Sequence, residues 1–103
     1  MSQFYNYYII YSDKFGFVDF ESVERLIKNN LCEKVIIFLS TEPHKNVKAA
    51  IKKYQSIEIK LCKNPKKEAK RFVKDFKSEN KGKSIVLYPL EVIADRSMWL
   101  DIC

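Results

Sequence analysis

Apolar residues gather into four short runs at near-even spacing: YYIIY at Tyr7–Tyr11, VIIFL at Val35–Leu39, IEIKL at Ile57–Leu61 and IVLY at Ile85–Tyr88. Each has strand length and is rich in β-branched or aromatic residues. The three stretches between them repeat at helical spacing instead. In the first, Phe20, Val23, Ile27 and Leu31 share a face, and the helix is expected to begin near Asp19, whose carboxylate can cap free backbone N–H groups. The second is expected to begin around Thr41 and Pro43 and to bury Val47, Ala50, Ile51 and Tyr54. In the third, Asn64 caps, Pro65 takes the first helical position, Ala69, Phe72, Val73 and Phe76 form the apolar stripe, and Gly82 terminates.

Strand alternating with helix is the pattern of right-handed βαβ units, which build a mainly parallel sheet covered by helices on both faces. A strand buried on both faces reads as a continuous apolar run, whereas an edge strand alternates. IEIKL alternates, while YYIIY and VIIFL do not. The third strand therefore belongs at an edge, which favours the order 3-2-1-4 over 2-1-3-4. The expected fold is α/β: one Rossmann-like, three-layer domain over residues 1–103 with a four-stranded sheet. The last segment, Leu90–Cys103, reads as a helix carrying Leu90, Ile93, Ala94 and Trp99, with a short strand at EVIAD as the alternative.

Composition narrows the setting. At 103 residues and 47% hydrophobic, the chain can build one core but not two. Cys32, Cys62 and Cys103 are odd in number and lack metal-site spacing, so they read as reduced thiols in a cytoplasmic protein without a metal or cofactor. No apolar run is long enough to span a bilayer, and MSQFYN does not resemble a secretory leader. The net charge of +6 is concentrated between Lys45 and Lys83, where only Glu58, Glu68, Asp75 and Glu79 oppose the lysines. That balance favours anionic partners, against the plainer reading of a solvated lysine-rich surface.

In the 3-2-1-4 order the winding direction reverses between strands one and four, and open parallel sheets bind ligands at such a reversal, beyond the carboxyl ends of their strands. The loop after strand one supplies Ser12, Asp13 and Lys14 there, followed by Gly16. With one glycine it is neither a dinucleotide fingerprint nor a P-loop. After strand two, Ser40 and Thr41 can either cap the next helix or hold an anion at its N-terminus. His44 is the only histidine, which excludes multi-histidine metal sites, and no nucleophile stands at a telling distance from it. No catalytic set is identified, so binding rather than catalysis is the expectation. The third helix carries Lys66, Lys67, Lys70, Arg71, Lys74 and Lys77 on its outer side, a stripe that could follow phosphates with weak, salt-sensitive nucleic-acid affinity.

Several of these segments together resemble the CRISPR-associated Rossmann fold, the CARF domain of regulators that sense cyclic oligoadenylates. The likeness rests on YYIIYS running into DKFGF, on VIIFLSTEP followed by NVKAAIKKY, and on IVLYPLEVIADRSMWL, which resembles that family's fourth strand, ligand loop and dimerising helix. The loop Tyr88–Val92 departs from it in lacking a glycine- and threonine-rich motif. The resemblance implies a homodimer in which Ser12, Lys14, Ser40, Thr41 and Arg96 contact a nucleotide-type ligand, and a ring-opening hydrolysis is known in that family. Met98, Trp99, Leu100 and Ile102 supply further apolar surface for a self-interface. A basic nucleic-acid-binding accessory protein of a mobile element or virus, and a ligand-free interaction module, are the competing readings.

Overall fold

The computed structural model describes residues 4–80 and 82–93. Strands β1 (Tyr5–Ser12), β2 (Cys32–Leu39), β3 (Ile57–Leu61) and β4 (Ile85–Pro89) alternate with helices α1 (Phe17–Lys28), α2 (Lys45–Ile51) and α3 (Pro65–Glu79). The sheet is parallel throughout, in the order β3-β2-β1-β4. This is the α/β architecture and strand order expected from the apolar runs.

Each strand sends alternate side chains to opposite faces, which divides the interior into two clusters. On one face Tyr8, Ile10, Val35, Ile37 and Leu39 pack against Phe20, Val23 and Leu26 of α1 and Val47 and Ile51 of α2. On the other, Ile9, Ile36 and Phe38 meet Ala69, with Phe72 and Val73 of α3 against them. β1 and β2 are therefore apolar on both sides, which is why their sequences run without alternation. β3 is an edge, and Glu58 and Lys60 alternate there with Ile57, Ile59 and Leu61. At the opposite end of β1, Asn6 and Ser84 clasp each other: the Ser84 N–H donates to Asn6 Oδ1 at 2.9 Å and the Asn6 N–H to Ser84 Oγ at 3.0 Å. That clasp joins β1 to the start of β4.

Several helix boundaries differ from the expectation. α1 starts at Phe17 with Gly16 as its N-cap, so Asp19 sits two residues inside the helix. Its carboxylate reaches back to accept from the Gly16 N–H at 2.9 Å, so the capping chemistry holds but from the third helical position. Leu26 takes the buried place assigned to Ile27, which is half-buried. α1 ends in a Schellman motif: Asn30 adopts φ 55°, its N–H donates to Ile27 O, and the Leu31 N–H donates to Leu26 O. α2 starts at Lys45 rather than near Thr41, with His44 as N-cap accepting from the Asn46 N–H on Nδ1 at 3.2 Å. The first carbonyl to accept within the helix is that of His44, from the Val47 and Lys48 N–H groups at 3.0 Å, while upstream the Thr41 N–H donates to Asp13 O at 3.1 Å. α3 starts as expected, Asn64 Oδ1 accepting from the Lys67 N–H, but it ends at an Asn80 cap, before Gly82. Tyr54 lies beyond α2, where its hydroxyl donates to the Glu24 carboxylate.

Cys32 is buried at the head of β2, and burial pushes its thiol from an ordinary 9.0 up to about 12. Between those values the unfolded chain releases a proton that the folded chain keeps, so this group's contribution to stability falls as pH rises through that window. Alkylation near neutral pH followed by peptide mapping is expected to modify the half-buried Cys62 in the native protein and to leave Cys32 intact until denaturant is added. Modification of Cys32 at the rate of Cys62 would show that β2 does not pack as described.

Candidate functional site

β1 and β4 are neighbours, with Tyr11 beside Pro89 at their carboxyl ends, while the helix that follows β1 and the helix that leads into β4 cover opposite faces of the sheet. Beyond β1 the chain turns into α1. Beyond β4 it turns helical at residues 90–93, burying Leu90 and Ile93 against the α1 and α2 side. α3 belongs to the other face and packs against β1, β4 and β2. Because it must carry the chain from β3 at one edge to β4 at the other, its N-terminus is set down above the middle of the sheet.

These three features enclose a cleft of about 510 Å³. Tyr11 and Pro89 form its floor, Ser12, Asp13, Lys14 and Asp19 one wall, and Asn64, Pro65 and Lys66 another. Leu90 and Glu91 close the third side. The volume falls in the range of small-molecule sites.

The β1 loop is held before any ligand arrives. Ser40 Oγ donates to Asp13 Oδ1 at 2.9 Å, and the Thr41 N–H donates to Asp13 O. The Lys14 N–H lies 3.4 Å from Ser12 Oγ, a long contact that leaves the hydroxyl proton free to donate elsewhere. Asp19 is occupied by Gly16. Among the described residues no carboxylate pairs with Lys14 or Lys66, whereas Lys34, Lys48 and Lys60 have partners at Glu58, Glu42 and Glu58. At the cleft, then, two free ammonium groups stand among three carboxylates, of which Asp13 and Asp19 already accept hydrogen bonds.

Of the residues singled out from the sequence, Ser12, Asp13 and Lys14 line the cleft. Ser40 and Thr41 do not; they brace Asp13 from the neighbouring strand end. Arg96 lies outside the described residues, as do Met98, Trp99, Leu100 and Ile102 of the expected self-interface. Lys66, Lys67, Lys70, Arg71, Lys74 and Lys77 are all exposed on α3, and Lys66 alone among them reaches the cleft. Asp19, Asn64, Pro65, Lys66 and Glu91 were not anticipated as parts of one site. The signal for Lys66 was present in the strand order itself, since a crossover from β3 to β4 has to begin over the sheet centre.

Chemically, the arrangement suits recognition. The cleft offers cationic donors, a hydroxyl and carboxylate acceptors, but neither thiol nor imidazole, because His44 is spent as a cap on α2. Among the described residues no cluster of His, Cys, Asp or Glu is placed to hold a metal ion, and no helix is long and apolar enough to cross a membrane. No protein-family model matches the chain, and neither a curated protein nor a solved structure matches it.

Proposed function

We propose that this protein is a binding protein for an anionic, nucleotide-type ligand held in the cleft between β1, β4 and the start of α3. The observation that carries this reading is the presence of two ammonium groups without carboxylate partners, Lys14 and Lys66, on separate walls of one cleft at the sheet's reversal point. Phosphate oxygens would be met by these lysines, and ribose hydroxyls or a base amino group by Glu91 and the remaining acceptor capacity of Asp13. Ser12 would donate to a phosphate or ribose oxygen. Such a mixture of charges suits a ligand with an anionic end and a polyol or amine end better than a bare phosphate. The resemblance to CARF domains points to cyclic oligoadenylates as the first compounds to try. Isothermal calorimetry against cyclic oligoadenylates and common mono- and dinucleotides tests the reading, and a folded sample that binds none of them overturns it.

The bracing of Asp13 gives a second, independent expectation. Ser40→Ala removes the hydroxyl that holds the β1 loop without touching the cleft, so it is expected to lower stability by less than about 1 kcal/mol. Ligand affinity should nonetheless fall several-fold, because the loop must then be ordered on binding. Urea unfolding and calorimetry on the same variant separate the two effects.

Nucleic-acid binding along α3 is the competing proposal, favoured by the six exposed cations on one side of that helix. Among the described residues no base-reading element accompanies them, so the binding would be electrostatic and steeply salt-dependent. Lys66→Gln, Lys70→Gln and Lys74→Gln together would then reduce its salt slope.

A further inference from the structure

β3 ends the sheet, and its register shows which backbone groups it leaves unused. The Val35 N–H donates to Ser56 O at 2.7 Å and the Cys62 N–H to Leu39 O at 2.9 Å, with Val35, Ile37 and Leu39 level with Ile57, Ile59 and Leu61. In a parallel ladder of that phase, Glu58 and Lys60 turn both N–H and C=O toward β2. Ile59 and Leu61 turn theirs outward, along with the Ile57 carbonyl. The side chains divide the same way. Glu58 and Lys60 lie on the α3 face, where Glu58 meets Lys34 at 3.0 Å and Lys60 at 3.4 Å. On the other face Leu61 is 53% exposed, one of four large apolar side chains so uncovered among the described residues. With Ile59, Ile51 and Pro43 it lines a mostly apolar groove of about 260 Å³ beside α2.

From this geometry we infer that β3 is a self-association edge, and that its partner is a second copy of the chain paired antiparallel about a two-fold axis through Ile59. The sequence Ile57-Glu58-Ile59-Lys60-Leu61 is complementary to itself in that one register. Ile59 faces its own copy as a hydrogen-bonded pair, which uses the outward N–H and C=O groups. Glu58 faces Lys60 of the partner subunit as a non-hydrogen-bonded pair, the closer of the two spacings at roughly 4.5 Å between Cα atoms. Ile57 faces Leu61 of the partner subunit, covering the exposed apolar groove. Centring the axis on Glu58 or on Lys60 would set like charges against each other and would present the wrong backbone groups. A lysine on an edge strand normally discourages sheet extension. Here it discourages the registers centred on either charged residue. The product is a closed, isologous dimer with an eight-stranded sheet, in which the two clefts remain open.

The test is sedimentation equilibrium of the full chain over a micromolar-to-millimolar range. Dimers are expected, with Lys60→Glu weakening association by roughly tenfold, since it opposes like charges at two symmetric positions. The double variant Glu58→Lys with Lys60→Glu should restore it. Because the double variant also disturbs the Lys34 pair, amide exchange of the wild-type protein is the second readout. On concentration, the Ile59 and Leu61 amides should slow while those of Glu58 and Lys60, bonded to β2 already, stay unchanged. A monomer at every concentration, a dimer indifferent to Lys60→Glu, or Ile59 exchange that ignores concentration would each overturn the inference.

Discussion

Ile37→Ala is expected to destabilise the protein by about 3 kcal/mol, within the span usual for emptying a buried isoleucine site. Ile37 sits at the centre of β2 with no exposed surface, surrounded by the apolar residues of β1, β3 and the two helices on that face. Neighbours on paired strands cannot close around a void without breaking the ladder, so both the transfer and the cavity cost are felt. For a domain whose total stability is on the order of 5–15 kcal/mol, this is a large share. Urea unfolding should show a lower midpoint at unchanged slope. Leu61→Ala, on the exposed edge, is the control and should move the midpoint little under dilute conditions where the chain is monomeric. A shift at Ile37 no larger than at Leu61 would mean that the β2 core is not packed as described.

The second large effect concerns ligand binding. Each ammonium that closes on a phosphate oxygen contributes a charge-assisted hydrogen bond, of about 1.5–3 kcal/mol when the site is shielded from water. Lys14→Ala and Lys66→Ala are each expected to weaken binding of a nucleotide-type ligand by about tenfold, and the pair together by about a hundredfold. Neither side chain belongs to the core, and among the described residues neither is engaged in an ion pair, so thermal stability should hardly change. Glu91→Gln should weaken a ribonucleotide more than inorganic phosphate if Glu91 meets the sugar. Calorimetry reads all of these variants, and affinity that survives the double lysine variant would place the ligand elsewhere.

How much could be read from the chain depended on the range over which each feature is decided. The sheet order was legible because burial on one or two faces leaves a direct trace in alternation, as β3 and β2 show. Helix starts were less so. Whether Asp19 caps from the N-cap or from the third position turns on one local hydrogen bond to Gly16, and either arrangement suits the same residues. The start of α2 is equally local: Thr41, Pro43 and His44 all suit a helix entry, and the choice turns on His44 Nδ1 accepting from the Asn46 N–H. The Asn29–Asn30 pair carries a stop signal, asparagine being tolerant of positive φ, which the apolar spacing running on to Leu31 masks. In the site, Ser12, Asp13 and Lys14 were found because they follow a strand end. Lys66 reads in sequence as one of a charged stripe, because its place over the cleft comes from where α3 crosses the sheet, a property of the assembled topology.

α3 is held less deeply than the helices opposite it. Only Pro65 and Ala69 of its residues are buried, with Phe72, Val73 and Phe76 half covered, whereas α1 sinks Phe20, Val23 and Leu26 fully. α3 nonetheless spans β1, β4 and β2, so its half-covered side chains are the hinge on which any parting of that layer from the sheet would turn. Its exposed lysines and arginine make that same layer the one a trypsin-like protease would enter, at a rate set by how often it opens. One wall of the cleft rides on α3 and the other on the braced end of β1. A ligand spanning Lys14 and Lys66 would therefore tie α3 to the end of β1, and occupancy of the cleft would be felt along α3 as resistance to digestion.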